Sequence, residues 1–343
     1  MMSPSQTVPE RYSRQVLFAA IGAEGQERLR RAHVAVVGVG ATGAAASSLL
    51  ARAGVGTLTL VDRDFVEESN LQRQVLFDEA DARESRAKAE AARRKIEAFN
   101  SEIEIRAHVT DLVPGNIHEL LGEAEIVLDA TDNFETRYLL NDYAVEQDKP
   151  WIYAAAVGAY AVTMNIVPGE TACLACIFPE PPGGAVETCD TAGILNTAVN
   201  LAASIEVTEA LKWLVGARDK MRRTLLSCDV WNNEWSEVKA GRPRADCAVC
   251  GERDFARLRG EGRPHITLCG RNSVQIHERS RPLDLAEMEA RLQPHGTVRR
   301  NDLLLRFERG QHTITLFADG RAIVQGTTDV AVARSLYARF VGS

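Results

Sequence analysis

No stretch of this sequence approaches the roughly 20 consecutive apolar residues that a helix needs to cross a bilayer, so no membrane span is expected. The opening residues, MMSPSQTVPERYSRQ, lack the apolar core of a secretory signal, and export is not expected either. Excess positive charge is missing too. Forty Lys and Arg stand against 47 Asp and Glu, for a net charge of −7, which gives no general attraction to nucleic acid or anionic lipid. There is no internal repeat and no low-complexity tract. Cysteine is sparse: seven residues in a chain of cytoplasmic character argue for metal binding and reactive thiols rather than disulfides. The expectation is a cytoplasmic enzyme.

What the chain does contain is a strand–turn–helix that opens a nucleotide fold. At 343 residues it can bury one large core, with room for a small second domain. His33-Val-Ala-Val-Val leads into Gly38-Val-Gly40-Ala41-Thr-Gly43, then a small-residue helix over about 44–53 and a second strand ending at Asp62. This is a βαβ unit whose glycines let backbone N–H groups approach a phosphate at a helix N-terminus. Asp62, 24 residues after Gly38, has the place of a ribose-binding carboxylate. A charged helix follows from Arg86 to Phe99, with Ser85 as its expected cap. Strands are expected over 102–106, 125–129 and 151–156, with a helix over 134–146. The repeated alternation predicts a doubly wound, mostly parallel, Rossmann-like α/β sheet with helices on both faces.

Residues 179–196 are rich in Pro and Gly and read as a functional crossover. A helix near 196–215 and strands near 224–230 and 234–239 bring the chain to its second cysteine pair. Residues 1–252 form the expected main domain, 253–263 a linker, and 264–343 a small α/β accessory domain. In the last, strands are expected over 267–276, 303–307, 312–317 and 322–325, helices over 283–292 and 329–340, and a turn at Phe317–Gly320.

Two C-x-x-C pairs, Cys173/Cys176 and Cys247/Cys250, supply four thiolates. That set suits a closed tetrahedral structural Zn2+ site joining distant segments, with redox-active pairs as the alternative. A lone glycine motif does not separate NAD-dependent oxidoreductases from other nucleotide users.

The residues downstream do separate them. Glu10-Arg11-Tyr12-Ser-Arg14-Gln15, Asp62-Arg-Asp64, Ser69-Asn70-Leu-Gln-Arg73-Gln74, Lys88 and Thr131-Asp132-Asn133, with both cysteine pairs, resemble the ThiF/MoeB/HesA family, relatives of the ubiquitin-activating enzymes. The resemblance spans about residues 10–251. It implies ATP rather than NAD, and adenylation of the C-terminal glycine carboxylate of a small β-grasp sulfur carrier or ubiquitin-like protein with release of pyrophosphate. By resemblance, Asp62 holds the ribose and Asn70 and Arg73 contact nucleotide and phosphates. Lys88 supports the phosphates, Asp132 binds Mg2+, and Arg14 reaches the neighbouring active site of a homodimer. Gly38, Gly40, Ala41, Gly43, Asp64 and Asn133 complete the implied nucleotide site. Cys189 resembles a thiol that, in some members, accepts the activated acyl group.

Two departures stand out. Ala41 and Thr42 occupy positions where a glycine and an apolar residue are usual in the family; alanine keeps its N–H, so anion contacts survive. The C-terminal 80 residues lack the cysteine loop of the rhodanese domain that larger relatives carry. The alternatives to the enzyme reading are a silent scaffold for a ubiquitin-like protein and an NAD-dependent oxidoreductase.

Overall fold

In a computed structural model of the chain, residues 9–180, 192–261, 267–268, 273–276, 283–300, 304–318, 320 and 322–342 are described. Cys189, Cys269, most of the Pro/Gly-rich crossover, residues 262–263 of the expected linker, residues 269–272 and Asp319 lie outside the described residues. The chain divides into two compact units, the first reaching Gly260 and the second taking up from Glu261.

The first unit begins with α1 (Ser13–Val16) and α2 (Gly22–Arg31). Strands and helices then alternate as β1 (His33–Val37), α3 (Ala41–Ala53), β2 (Thr57–Val61), α4 (Glu79–Arg83), α5 (Lys88–Phe99) and β3 (Glu104–His108). They continue as α6 (Ile117–Leu121), β4 (Ile126–Asp129), α7 (Phe134–Glu146) and β5 (Trp151–Val157). The rest is β6 (Tyr160–Ile166), α8 (Leu174–Ile177), α9 (Asn196–Leu214), β7 (Thr224–Asp229) and β8 (Glu234–Lys239). The sheet order is β3-β2-β1-β4-β5-β6-β7-β8. β3 through β5 run parallel, and β6 to β8 extend the sheet antiparallel.

The apolar run of β1 explains the layering. Val34 and Val36 enter one core with Leu50 of α3, Ile96 of α5 and Ala210 of α9. Ala35 and Val37 enter the other with Leu121 of α6 and Leu140 of α7. A strand buried on both faces reads as continuous rather than alternating hydrophobicity, as the sequence does here.

Two local readings are corrected. Ser85 does not cap a helix at Arg86: it has φ 47°, and α5 starts at Lys88 after Ala87. Tertiary ties override the local signal, since Ala87 bridges Phe65 and the Lys88 N–H donates to the Asp64 carbonyl at 2.8 Å. The sequence reading also passed over β6. Thr163 and Asn165 on that strand are buried polar residues, which disguises it. The Asn165 Nδ2 donates to Glu209, at 2.5 Å, and to the Arg222 carbonyl. Part of the expected linker is docked: Phe255 and Leu258 pack on the second core, and Asp142 Oδ2 accepts the Arg257 N–H at 2.9 Å.

The second unit contains β9 (Thr267–Leu268), β10 (Ser273–Ile276), α10 (Leu285–Leu292), β11 (Thr297–Arg300), β12 (Leu304–Arg309), β13 (His312–Phe317), β14 (Ala322–Gln325) and α11 (Val330–Phe340). Its sheet, ordered β11-β12-β13-β14-β10-β9, is antiparallel throughout. β11 was not expected from sequence. Leu305, Phe307, Ile314, Leu316 and Val324 make one apolar face with Met288 of α10 and Tyr337 of α11. Asp284 and Asp329 cap the two helices, each accepting two backbone N–H groups.

Candidate nucleotide site and cysteine cluster

The loops after β1, β2 and β4 meet where the sheet reverses its strand order, between β1 and β4, the usual ligand position of an open α/β sheet. Gly38 has φ 85°, and a Cβ there would stand 2.7 Å from the Ala130 carbonyl oxygen. A Cβ on Gly43 would overlap the Gly38 carbonyl. Both positions therefore require glycine. Gly40 differs: its missing Cβ faces open space, with only Gln74 Nε2 nearby at 3.8 Å. Gln74 is buried and its Oε1 has no partner. α3 carries no side-chain cap at its N-terminus, so its first N–H groups await an acceptor. An anionic ligand with polar edges fits this cradle.

Asp62 organises the loop from below. Its Oδ2 accepts the Val39 N–H at 2.6 Å and its Oδ1 the Asp64 N–H at 2.7 Å. Burial holds its carboxyl above the usual range, with Lys88 opposing and Asp64 reinforcing that shift. Lys88, 2% exposed, places Nζ 3.2 Å from Asp64 Oδ2. A buried lysine at the first position of a helix stands against the helix dipole, and Asp64 is the counter-charge that makes it tenable.

Asn70 and Arg73 lie on the following turn. Asn70 is buried and its Oδ1 accepts the Glu67 N–H at 3.1 Å. Arg73 Nη1 donates to the Ser69 carbonyl at 2.9 Å. The end of the crossover is pinned to the same turn: Asn196 Nδ2 donates to the Gln72 carbonyl, and Gln72 Nε2 to that of Ile194, both at 3.2 Å.

The loop after β4 carries Asp132, which is exposed. Asn133, not Asp132, caps α7, its Oδ1 accepting the Thr136 N–H at 2.8 Å. Beneath the loop is a buried ion pair that sequence reasoning missed. Arg137 Nε donates to Asp129 Oδ2 at 3.2 Å, and its Nη2 donates to the Thr131 carbonyl at 2.6 Å and the Ala154 carbonyl at 3.3 Å. Its guanidinium carbon stands 4.9 Å from the Tyr153 ring centre and 5.2 Å from that of Phe134. Asp129 Oδ1 accepts both the N–H and the hydroxyl of Thr131. Glu206 of α9 is fully buried, and neither carboxylate oxygen has a hydrogen-bond partner. Burial, then the Asp129 charge, hold its carboxyl well above the usual range against the pull of Arg137. Helical phase was the available signal. Arg137 shares a face with Leu140 and Ala144, and Glu206 with Ala202, Ala203 and Ala210, all buried.

Arg14 is exposed on α1, whose Gln15 donates to the Ala53 carbonyl at 2.8 Å. Ala53 ends α3, about 18 Å along the helix axis from its glycine-loop end. Within one chain Arg14 is therefore not brought to the nucleotide loops.

The four cysteines do come together, all sulfurs lying within 4.8 Å of one another. Cys173 and Cys176 are 3.8 Å apart, Cys173 and Cys247 3.6 Å, and Cys176 and Cys250 3.3 Å. A tetrahedral Zn–S distance of ~2.3 Å implies sulfur–sulfur edges of about 3.8 Å, so the set fits one metal ion. α7 braces the first pair, because Asn141 Oδ1 accepts the Leu174 N–H at 2.8 Å and the Tyr138 hydroxyl donates to the Phe178 carbonyl at 2.6 Å. No described helix is long and apolar enough to cross a membrane.

The ThiF family profile matches residues 12–249. The chain is 44% identical over 337 residues to the sulfur carrier protein ThiS adenylyltransferase of Bacillus subtilis, covering 97% of this chain and 99% of that one. It is 37% identical over 252 residues to the SAMP-activating enzyme E1 of Haloferax volcanii, covering 73% and 92%. Among solved structures, that of Escherichia coli MccB with ATP aligns at TM-score 0.62 and 27% identity, over 72% of this chain and 76% of that one.

Proposed function

This chain belongs to the ThiF family, and we propose that it is an adenylyltransferase using ATP to activate the C-terminal glycine carboxylate of a β-grasp sulfur carrier. The observation that carries the reading is the convergence of an uncapped glycine loop, a buried lysine and an exposed aspartate at one sheet edge. In the reaction the carrier carboxylate oxygen forms a bond to the α-phosphorus. The bond from that phosphorus to the bridging oxygen breaks, and pyrophosphate leaves with the electron pair. Negative charge grows on phosphoryl oxygens, so the site needs oriented N–H groups and cations more than a nucleophile.

The chain's own residues supply these. The N–H groups at the start of α3 receive phosphate oxygens. Asp62 keeps lone pairs for a ribose hydroxyl while tying down Val39 and Asp64. Lys88 and Arg73 face the phosphates and Asn70 the nucleotide. Asp132 would hold Mg2+, which neutralises departing pyrophosphate when bound. Arg14 serves the neighbouring subunit of a homodimer, consistent with its distance from its own glycine loop. Cys173, Cys176, Cys247 and Cys250 would hold a structural Zn2+, leaving no coordination position for the reaction. Cys189 is the candidate thiol acceptor of the acyl group. Residues 1–252 are the adenylating domain, 253–263 its linker and 264–343 an accessory domain.

The test is exchange of labelled pyrophosphate into ATP, with Mg2+ and a panel of purified carriers ending in Gly-Gly. Exchange that depends on one carrier is the expected result. Mg-ATP binding with no exchange across carriers of every class would reduce the protein to a nucleotide-binding scaffold.

A further inference from the structure

We propose that Arg137 is a positioning residue of the nucleotide site, setting through the Thr131 carbonyl where Asp132 meets the metal of Mg-ATP. The inference rests on the reading of Asp132 given above and adds to it the side chain that holds Asp132 in place. Asp132 sits on a three-residue connection between Asp129, the last residue of β4, and Asn133, the cap of α7. Its two ends are fixed, and its middle is fixed by Arg137.

Three features make the guanidinium the organising group. It reaches three acceptors on three different segments: Asp129 at the strand end, Thr131 in the loop and Ala154 on β5. Its faces lie near Tyr153 and Phe134, which restricts its plane. The carbonyl it grips belongs to the residue just before Asp132. Ala130 and Thr131 also form the wall against which Gly38 packs, at distances no side chain would fit. The buried cation therefore governs the placement of Asp132, while the seat of the glycine loop is set by the Ala130–Thr131 backbone itself. Lysine in the same place keeps the charge but has no planar fork, so it cannot hold three acceptors in that arrangement.

The experiment compares ATP binding with and without Mg2+ by calorimetry in wild type, Arg137→Lys, Asp132→Asn and the double variant. Wild type is expected to bind ATP more tightly with Mg2+. Arg137→Lys should lose most of that gain, about tenfold or more as when the support of a metal ligand is removed, while metal-free ATP affinity stays within about threefold. The double variant should bind Mg-ATP no more weakly than Asp132→Asn alone, because a residue acting through Asp132 has nothing left to act on.

Retention of the full Mg2+ gain by Arg137→Lys would overturn the proposal. So would a parallel loss of metal-free and metal-bound affinity, or single effects that multiply in the double variant. Asp129→Asn, which keeps the side-chain shape but removes the charge and turns one of two accepting oxygens into a donor, should show the same selective loss and stands in if Arg137→Lys fails to fold. Wild type that binds Mg-ATP without pyrophosphate exchange strikes the carrier reading and leaves this one standing. Wild type that binds no ATP overturns both.

Discussion

The nucleotide loops and the cysteine cluster reach order by opposite routes. Around β1, β2 and β4 the protein satisfies its own charges: Asp62 accepts two backbone N–H groups, Lys88 faces Asp64, and Arg137 joins Asp129. The cysteine cluster gathers four sulfurs from two segments that also meet in an apolar core and through the Ala172–Ala240 backbone hydrogen bond. The first region is preorganised by hydrogen bonds made on folding. The second offers a donor set that a metal ion would complete. Removing a metal should therefore loosen the second far more than the first, and removing a buried charge should do the reverse.

The largest effect should come from the metal side. Cys250→Ser is expected to abolish stoichiometric zinc and to destabilise the chain by about 3 kcal/mol or more, since structural zinc binding is itself folding free energy. Metal content and denaturant midpoint would be read together. Zinc retained at full stoichiometry would break the contrast.

Next comes Lys88→Met. Removing one partner of a fully buried ion pair costs about 3–5 kcal/mol. Asp64 is partly exposed, so about 2 kcal/mol is the expectation here, with Mg-ATP affinity falling in parallel and zinc content unchanged.

Glu206→Gln sharpens the same comparison through pH. The folded-state carboxyl titrates well above the unfolded one, because burial and then the Asp129 charge disfavour ionisation. Its stabilising contribution is fully present below the unfolded value near ~4.3 and is lost as pH rises through the folded value. The amide variant should thus melt higher than wild type at pH 8, with the gain shrinking to nothing below pH ~4. A gain independent of pH would mean that Glu206 is not held protonated.

The smallest effect on stability should be that of Gly40→Ala. Its methyl meets open space, so stability should move by about 1 kcal/mol or less. ATP affinity should fall about tenfold as the methyl enters the phosphate cradle, again read by calorimetry. Unchanged affinity would place the phosphates elsewhere.

The half of this contrast that is local in sequence was legible. Gly38 to Gly43, Asp62 and the two C-x-x-C pairs are short patterns whose spacing is their geometry. The position of Asp132 after β4 followed from the same alternation. What stayed hidden was set at a distance. Ser85 lost its expected role to contacts made by Phe65 and Asp64. Tyr160–Ile166 was missed because the acceptors of the buried Asn165 amide N–H groups lie 44 and 57 residues away. Arg137 and Glu206 lie on helices, where charged residues usually mark solvent, and only their phase with buried alanines and Leu140 betrays them.

The spacing of the cysteine pairs has a topological consequence. Cys176 and Cys250 lie 74 residues apart in sequence, so a metal held between the pairs converts everything from the crossover through β8 into a closed ring. Closing a ring of that size in the unfolded chain corresponds to about 4 kcal/mol in the loop-entropy picture. A single backbone cut inside the ring would then open it without freeing a fragment. The nicked protein would still migrate as one particle on a sizing column, and only denaturation with a chelator would separate its two pieces.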